Sequence, residues 1–393
     1  MEKINIRRFL EVANQPLMLL FMFAMLLLNL WRLSNYQVEL NQPLDWRQLY
    51  CGHILFAEGE NPYNDAALKQ VWADNVPEAK DLPAPGAPEN RLVYPPQAIF
   101  LCHLFLPWSW QSTRWMAWGI ALLSLLLIPF VSSRTANWKD LLLALLVLIS
   151  FRGTSTALVL AQPALPVILL LMAALHFRKS RKNISGILLG LSFFKPSLAL
   201  PILFFFTAEK NWKPIIYAIG LNFVFYLLMY TQLGLDFLLQ IIQSWLGELQ
   251  LQAQIIFESG HSFLNGNMTD LSAALFRLFG LESGWLNLPL LLIGSLLLLA
   301  LYRKGKLKES ELLLLLVLLS YLFSYHLYYD LMLLPVLMLS YYRMTNILGW
   351  LCLLLYLPWG HWPQLVSIQI FILLLLFILI WTRKYSIPTN TSA

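Results

Sequence analysis

The sequence predicts an all-α integral membrane protein, a polytopic bundle of about ten to twelve transmembrane helices with a large outer first loop. Of its 393 residues, 59% are hydrophobic and 12% are charged. Soluble domains carry roughly 25% charged residues, so this chain could not cover a surface that faces water. Its apolar residues also come in long runs that suit a bilayer helix, and the runs 16–30, 288–301 and 365–381 carry no charge at all.

Basic clusters predict the orientation of the chain in the bilayer. The formal charge is +6, and its positive residues concentrate in short loops, which is the positive-inside signal rather than a nucleic-acid footprint. We therefore expect a multi-pass protein of the cell inner (plasma) membrane with both termini cytoplasmic. The first helix, 16–34, is expected to be retained, since no small-residue cleavage site follows it. The basic clusters are Lys3, Arg7 and Arg8; residues 178–182; residues 303–308; and Arg383 with Lys384.

The first loop, residues 35–92, is acidic and is expected to face outside. Leu49, Ile54 and Leu55 have the spacing of a short helix between Asp45 and Glu58, and Gly59 is its expected left-handed cap. Asp45 would then lie at the N-terminal end of an interfacial helix, where the ionised carboxylate is favoured. That is the form a general base needs, although a solvated loop acid remains the alternative.

The chain re-enters the membrane at Tyr94-Pro95-Pro96. Two prolines end an extended loop and can start a helix at a fixed angle. We predict a short helix within 94–110 at the outer interface. Tyr94 either lines a site or is only part of the turn that leads into this helix.

Residues 184–207 are too short for two crossings and are interrupted by Lys195-Pro196. We predict a broken or re-entrant pair of half-helices, which is tolerated where it lines a cavity or is buried in protein. A lysine within an apolar run usually faces a cavity or a partner, the alternative being a lysine that snorkels from a helix end. Besides 16–34, the predicted crossings are 113–131, 140–151, 156–177, 214–231, 288–302, 310–324, 327–342, 346–358 and 364–382.

A second outer segment covers residues 232–287. Its first part, 235–257, is expected to be an amphipathic interfacial helix, followed by a weaker polar cluster of His261, Asn265 and Asn267. Further on, His326 and Tyr329 lie between two apolar runs. A histidine among tyrosines there either belongs to an interfacial aromatic belt or donates a hydrogen bond to a phosphate or assists proton transfer. No metal site is predicted, because Cys51, Cys102 and Cys352 have no metal or redox spacing.

An ordered set of short motifs resembles glycosyltransferase family 87. It consists of Asp45 and Tyr50; Gly59-x-Asn61-Pro62-Tyr63; Tyr94-Pro95-Pro96; Lys195-Pro196; and His326 with Tyr328-Tyr329. The family comprises polytopic enzymes of the GT-C superfamily and is similar to polyprenyl-phosphate-mannose-dependent α-mannosyltransferases. The resemblance implies that residues 1–393 form a single membrane-embedded glycosyltransferase domain.

The resemblance also implies an activity, which is inverting transfer of a hexose, expected to be mannose, from a polyprenyl-phosphate-linked sugar to an extracytoplasmic glycolipid or glycan. Asp45 would be the general base, with Glu39 and Glu58 near enough to compete, and His326 would be the second catalytic residue. Lys195 and His326 would handle the donor phosphate. No cofactor is implied, and the partners are the donor, the acceptor and the lipid bilayer. The residues expected to bind substrate are Lys195, Tyr50, Asn61, Tyr63, Tyr94 and Tyr329.

Two other functional classes compete with this hypothesis. A transporter or flippase of lipid-linked sugars would usually show internal repeats and polar residues near the membrane midplane. Here no repeat is visible and the polar residues gather on the outer side, which favours the enzyme. A structural partner in an envelope assembly would need none of these residues to be reactive.

Overall fold

The computed structural model describes residues 16–35, 44–76, 91–132, 138–258, 286–324, 328–341 and 363–382, together with 271, 275 and 279. Throughout these ranges every regular element is helical, so the predicted all-α membrane fold is confirmed. The predicted helix 346–358 lies outside the described residues. The first five helices are α1 Pro16–Asn35, α2 Leu44–Ala57, α3 Asp65–Asn75, α4 Pro96–Phe105 and α5 Trp110–Ser132.

The first outer loop is folded onto the helical body. Every residue of α2 from Trp46 to Phe56 is buried, and α2 packs against α3, α4 and α5. The predicted cap is confirmed, since Gly59 has φ +73° and Glu60 N–H returns to the Leu55 carbonyl over 2.8 Å. An acidic loop thus contributes a buried helix to the protein interior.

Two helix breaks lie in the middle of the chain, one that the sequence predicts and one that it does not. The predicted span 156–177 is wrong as one helix, because α7 ends at Val159 and α8 begins only at Ala164. Pro163 provides the reason, since a proline cannot donate the amide that a continuous helix requires. The predicted break at Lys195-Pro196 is confirmed. The helices here are α6 Trp138–Ser150, α7 Arg152–Val159, α8 Ala164–Phe177, α9 Lys182–Ser192 and α10 Pro196–Ala208.

Among the described residues of the last third, one helix differs from the prediction. The predicted helix 327–342 begins instead as a 3₁₀ helix, Tyr328–Met332, and becomes α-helical only at Leu333. Pro335 lacks the N–H that would bond to the Leu331 carbonyl, so an α-helix cannot run through this point undisturbed. The remaining helices are α11 Trp212–Leu233, α12 Leu235–Glu258, α13 Asn287–Arg303, α14 Glu309–Phe323, α15 Leu333–Tyr341 and α16 Pro363–Thr382.

Among the described helices, α5 and α11 are long and apolar enough to cross a membrane. The bent pair α6 and α7, which turns by 78° at its break, would make a third crossing if it acts as one span. Shorter apolar stretches lie in α1, α4, α8, α10, α13 and α16. The total of ten to twelve crossings stays a prediction.

Close helix packing holds the bundle together at α9 and α11. A Cβ added at Gly186 would lie 2.5 Å from the Pro214 carbonyl oxygen, and one at Gly190 would lie 3.1 Å from that of Ala218. Two glycines four residues apart therefore let the backbones of α9 and α11 approach, as small residues do in membrane helix pairs.

At one end of the bundle, Arg178 joins three helix termini. Its buried guanidinium pairs with Glu209 after α10 and with Glu309 at the start of α14. Lys179 also reaches Glu309, over 3.3 Å. Two members of the predicted cytoplasmic cluster therefore have a structural role as well.

Candidate active site

Asp45 lies in the first turn of α2, as the sequence predicts. The helix is held in place by the next residue, since Trp46 Nε1 donates to the Ala161 carbonyl over 2.5 Å. This contact brings the start of α2 to the break between α7 and α8. Asp45 therefore faces the irregular backbone in the middle of the bundle.

Tyr94 connects the re-entry motif to this carboxylate. Its hydroxyl donates a 2.5 Å hydrogen bond to Asp45 Oδ2. The predicted proline start is confirmed, with Pro95 as the N-cap and Pro96 as the first residue of α4. The phenol of Tyr63 donates to the Tyr94 carbonyl over 2.7 Å, so Tyr63 acts on the site by fixing Tyr94.

Gln162 is the second hydrogen-bond partner of Asp45, through its side chain. It lies in the turn between α7 and α8, beside Ala161, whose φ of +45° is unusual for a residue with a Cβ. Gln162 N–H bonds to the Ala157 carbonyl over 2.7 Å. The broken helix thus directs a buried amide side chain to the carboxylate.

Lys195 supplies the positive charge of the site. It is the N-cap residue of α10, and its Nζ lies 2.5 Å from Oδ1 of Asp330 in the 3₁₀ helix. The Asp330 side chain is 1% exposed, and Tyr321 donates to the Asp330 carbonyl over 2.6 Å. The Lys195 and Asp330 charges both act on Asp45. Asp45, Tyr94, Gln162, Lys195 and Asp330 thus form one group, called here the carboxylate cluster.

Burial raises the pKa of Asp45 above its usual value, because protein encloses its carboxylate although the residue as a whole keeps partial exposure. The Tyr94 hydrogen bond, the Lys195 charge and the Gln162 hydrogen bond oppose this rise, and the Asp330 charge adds to it. The position of Asp45 at a helix start predicts only stabilisation of its ionised form. The structure reverses the net direction, because desolvation outweighs the position in the first turn.

The carboxylate cluster can perform proton transfer beside a fixed cation. A carboxylate with a raised pKa is a stronger base once it is ionised. A lysine beside it can stabilise negative charge that develops on a substrate. The combination suits removal of a proton from a hydroxyl group while an anionic group departs nearby.

Two other residues predicted to bind substrate make contacts elsewhere. Tyr50 donates to the Trp108 carbonyl over 2.8 Å, and its ring packs against Trp110. Asn61 accepts the Tyr63 N–H over 3.1 Å and donates to Ser244 of α12 over 2.8 Å. Neither contact is with the carboxylate cluster, and whether these residues touch substrate stays a prediction.

Three contacts join α12 to the first outer loop and to Val93, the residue that follows it, and we call them the outer clasp. Asn61 bonds to Ser244, and Trp245 Nε1 donates to the Val93 carbonyl over 3.1 Å. Arg91 lies 2.8 Å from Glu248 and 3.1 Å from Asp65. The predicted helix over 235–257 is confirmed as α12, and the outer clasp holds it against the loop that carries Asp45.

Several predicted residues lie outside the described part of the chain. These are His326, Glu39 and the cluster of His261, Asn265 and Asn267. For Tyr329 the structure gives only the backbone, in the 3₁₀ helix. Glu58 is described and lies exposed just past the C-terminal end of α2, at the opposite end from Asp45. Within the described residues no three His, Cys, Asp or Glu side chains are placed to hold a metal ion.

The sequence reasoning missed two members of the carboxylate cluster. Gln162 had a signal, because a polar residue followed by Pro163 interrupts an apolar run. Asp330 also had one, since an acid flanked by apolar residues is costly unless it has a partner. The same rule had selected Lys195, and the structure shows that the two residues pair with each other.

Comparison with family models identifies a match. The model of glycosyltransferase family 87 matches residues 92–327, more than half of the chain. No curated protein and no solved structure matches the chain significantly. Tyr94, Gln162 and Lys195 lie within the matched residues, whereas Asp45 and Asp330 lie outside them.

Proposed function

We propose a reaction for this chain, which belongs to glycosyltransferase family 87 and is therefore a glycosyltransferase. It transfers a hexose from a polyprenyl-phosphate-linked sugar to an extracytoplasmic acceptor. The sugar is proposed to be mannose and the acceptor a glycolipid or glycan. The enzyme would be a hexosyltransferase that inverts the configuration at the anomeric carbon.

The contact between Tyr94 and Asp45 is the observation that carries this proposal. Tyr94 lies inside the residues that match the family, and Asp45 lies before them. The 2.5 Å hydrogen bond from the Tyr94 hydroxyl connects the first-loop carboxylate to the family region. Lys195, also inside the matched residues, acts on the same carboxylate through its charge. A base and a cation in one enclosed group are what a transfer from a phosphate donor requires.

In the proposed reaction the acceptor hydroxyl attacks the anomeric carbon of the donor sugar. Asp45 takes the hydroxyl proton as the new carbon–oxygen bond forms. The bond between the anomeric carbon and the phosphate oxygen breaks, and the polyprenyl phosphate leaves with the electron pair. Lys195 stabilises the charge that develops on the phosphate, and His326 is proposed to assist there.

Substrate chemistry favours a site at a membrane interface. A polyprenyl phosphate keeps its chain in the bilayer and its sugar at the interface. The outer clasp holds α12 next to the loop that carries Asp45, and several large apolar side chains of α12 are exposed, including Leu235, Leu239 and Leu246. We propose that this helix lies in the outer interface and borders the route to the site.

The direct test is transfer of radiolabelled hexose from polyprenyl-phosphate hexose by membranes that contain the protein. The proposal predicts a labelled glycolipid or glycan whose new linkage is opposite in configuration to the donor. Labelled product should vanish when mannose is supplied as a nucleotide sugar and polyprenyl phosphate is absent. Equal product from the nucleotide sugar under those conditions would rule out the lipid-linked donor.

A further inference from the structure

We infer that the N-terminal end of α7, with Arg152 and Thr154, forms a binding site for the phosphate group of the lipid-linked donor. This inference rests on the proposed function and assigns a donor contact beyond Lys195 and His326. The ligand chemistry is a phosphodiester with one negative charge.

Arg152 is a buried cation at a break in the bundle. It is the first residue of α7 and is 5% exposed. The preceding helix, α6, is bent from α7 by 78°, and Asn29 of α1 fixes this break by donating to the Ser150 carbonyl over 2.9 Å. Arginine stays protonated in proteins, so a buried guanidinium favours anions and oxygen acceptors around it.

The helix start at Arg152 favours an anion as well. The α7 helix has eight residues, and its N-cap is Phe151, whose side chain makes no capping hydrogen bond. Thr154 N–H already bonds to the Phe151 carbonyl over 3.0 Å. The amides before it, the first of the helix, have no carbonyl partner within their own helix and carry partial positive charge. A phosphate oxygen is a suitable acceptor for such amides.

Thr154 gives the independent observation. It is the third residue of α7 and is 0% exposed, and the described part of the chain offers its Oγ1 no hydrogen-bond partner. A buried hydroxyl without a partner costs free energy. Side chains of a helix lean towards its N-terminus, which directs this hydroxyl to the same end as Arg152. A phosphate oxygen there would satisfy it.

Charge balance identifies Arg152 among the buried cations. Asp45, Asp330 and Lys195 together sum to one negative charge when the carboxylates are ionised, so a phosphodiester needs a further cation. The described residues include three buried arginines. Arg178 pairs with Glu209 and Glu309, away from this cluster, and Arg47 lies over the Trp72 ring on the first loop.

The third buried arginine, Arg152, belongs to a helix that contacts the carboxylate cluster on two sides. The α7 helix packs against the 3₁₀ helix that carries Asp330. The turn that follows α7 carries Gln162, which bonds to Asp45. A phosphate at the start of α7 would therefore lie along the element that connects both carboxylates.

The test measures affinity of the purified protein for polyprenyl phosphate, with polyprenol and phosphatidylglycerol as comparison ligands. Arg152→Gln should weaken polyprenyl phosphate binding by roughly 30-fold or more, since it removes a desolvated charge partner. Thr154→Val should weaken it roughly tenfold, as expected for one hydrogen bond to a charged group. The matched control is Arg114→Gln, the same substitution on α5, where the arginine stacks on Trp115.

Thr154→Val also has a signature that a structural role would not produce. Replacing a buried, unsatisfied hydroxyl by a methyl should raise the unfolding temperature of the ligand-free protein while it weakens phosphate binding. If Arg152→Gln does not fold, this variant decides the question, because it removes no charge.

Each outcome supports or overturns the inference. The inference is supported if both variants bind polyprenyl phosphate more weakly while Arg114→Gln binds it normally. Polyprenol binding should not depend on Arg152. A folded Arg152→Gln or Thr154→Val with wild-type affinity overturns it. Arg152-dependent binding of phosphatidylglycerol alone would also overturn it and assign a phospholipid headgroup site. If the wild type fails to transfer hexose from polyprenyl-phosphate hexose, the proposed function fails; if it transfers but Arg152→Gln binds normally, only this inference fails.

Discussion

The Tyr94 hydroxyl donates a 2.5 Å hydrogen bond to Asp45 Oδ2, although the two residues are 49 positions apart in the chain. The bond joins the re-entry motif to the first turn of α2. It stabilises the ionised form of a carboxylate whose burial favours the protonated form. The balance between these effects sets the pH at which Asp45 can accept a proton.

The pH dependence of transfer should report this balance. As the proposed base, Asp45 must be ionised to accept a proton, so kcat/KM should fall as the pH drops through a pKa above the ordinary 3.8. Tyr94→Phe removes a hydrogen bond that lowers this pKa, so the acidic limb should move to higher pH. A matched control is Tyr50→Phe, whose hydroxyl bonds to Trp108 and whose loss should leave the midpoint in place. An unchanged or lower midpoint in Tyr94→Phe would contradict the assignment.

The Lys195–Asp330 ion pair should contribute both to the stability of the fold and to use of the donor. Lys195→Met leaves Asp330 buried without this cation, and Asp330→Asn removes the partner of Lys195. Each single change should destabilise the fold by about 3–5 kcal/mol, as for other broken buried pairs. The double variant Lys195→Met with Asp330→Leu should recover most of the stability and none of the transfer. Thermal unfolding and the transfer assay on the same preparations would show this; a double variant that transfers at the wild-type rate would remove the pair from the mechanism.

Local signals were sufficient to predict the part of the site that lies on α2 and α4. Gly59 and Asn61-Pro62 mark the end of α2, and Pro95-Pro96 marks the start of α4. Both helix boundaries can be predicted from adjacent residues alone. Asp45 and Tyr94 could therefore be assigned to helix starts on one side of the membrane. Their contact with each other needed the tertiary fold.

The rest of the site depends on partners far apart in sequence. Lys195 and Asp330 are 135 positions apart, and nothing near either residue identifies the other. The role of Gln162 was not predicted because the run 156–177 is apolar enough to suit one crossing, although Pro163 breaks it. The direction of the Asp45 pKa shift could not be predicted either, because desolvation in the folded protein outweighs the groups that favour the ionised carboxylate.

The outer clasp should control the mobility of α12. Arg91→Gln leaves the carboxylates of Asp65 and Glu248 facing each other without their shared cation. Hydrogen exchange across 235–251 should then become faster, while exchange in α9 stays at the wild-type rate because α9 packs on α11. Arg114→Gln, which removes a cation of α5 that lies over the Trp115 ring, is the control. Equal exchange in Arg91→Gln and the wild type would show that the clasp does not hold the helix.

Cysteine labelling tests the predicted topology. Gln70 is exposed in α3 on the first loop, and Lys182 is exposed at the start of α9. A membrane-impermeant thiol reagent should label Gln70→Cys in intact cells and Lys182→Cys only after lysis. Cys51 and Cys102 are buried and should give little background. Labelling at position 70 only after lysis would invert the orientation.

The central claim is that Asp45 is the catalytic base, and Asp45→Asn tests it most directly because the change keeps the shape and removes the basicity. The wild type loses stability as rising pH ionises the enclosed Asp45 carboxylate, whereas Asn cannot ionise and does not incur this loss. The variant should therefore unfold at or above the wild-type temperature at neutral pH. Glu58→Gln is the matched control at the exposed end of α2.

The deciding measurement is the single-turnover rate of hexose transfer from saturating polyprenyl-phosphate hexose by purified wild type, Asp45→Asn and Glu58→Gln. Asp45→Asn is predicted to bind donor normally and to transfer about 10² to 10⁴ times more slowly, with Glu58→Gln close to wild type. A near-normal rate in Asp45→Asn, or an equal loss in Glu58→Gln, would contradict the assignment of Asp45 as the base.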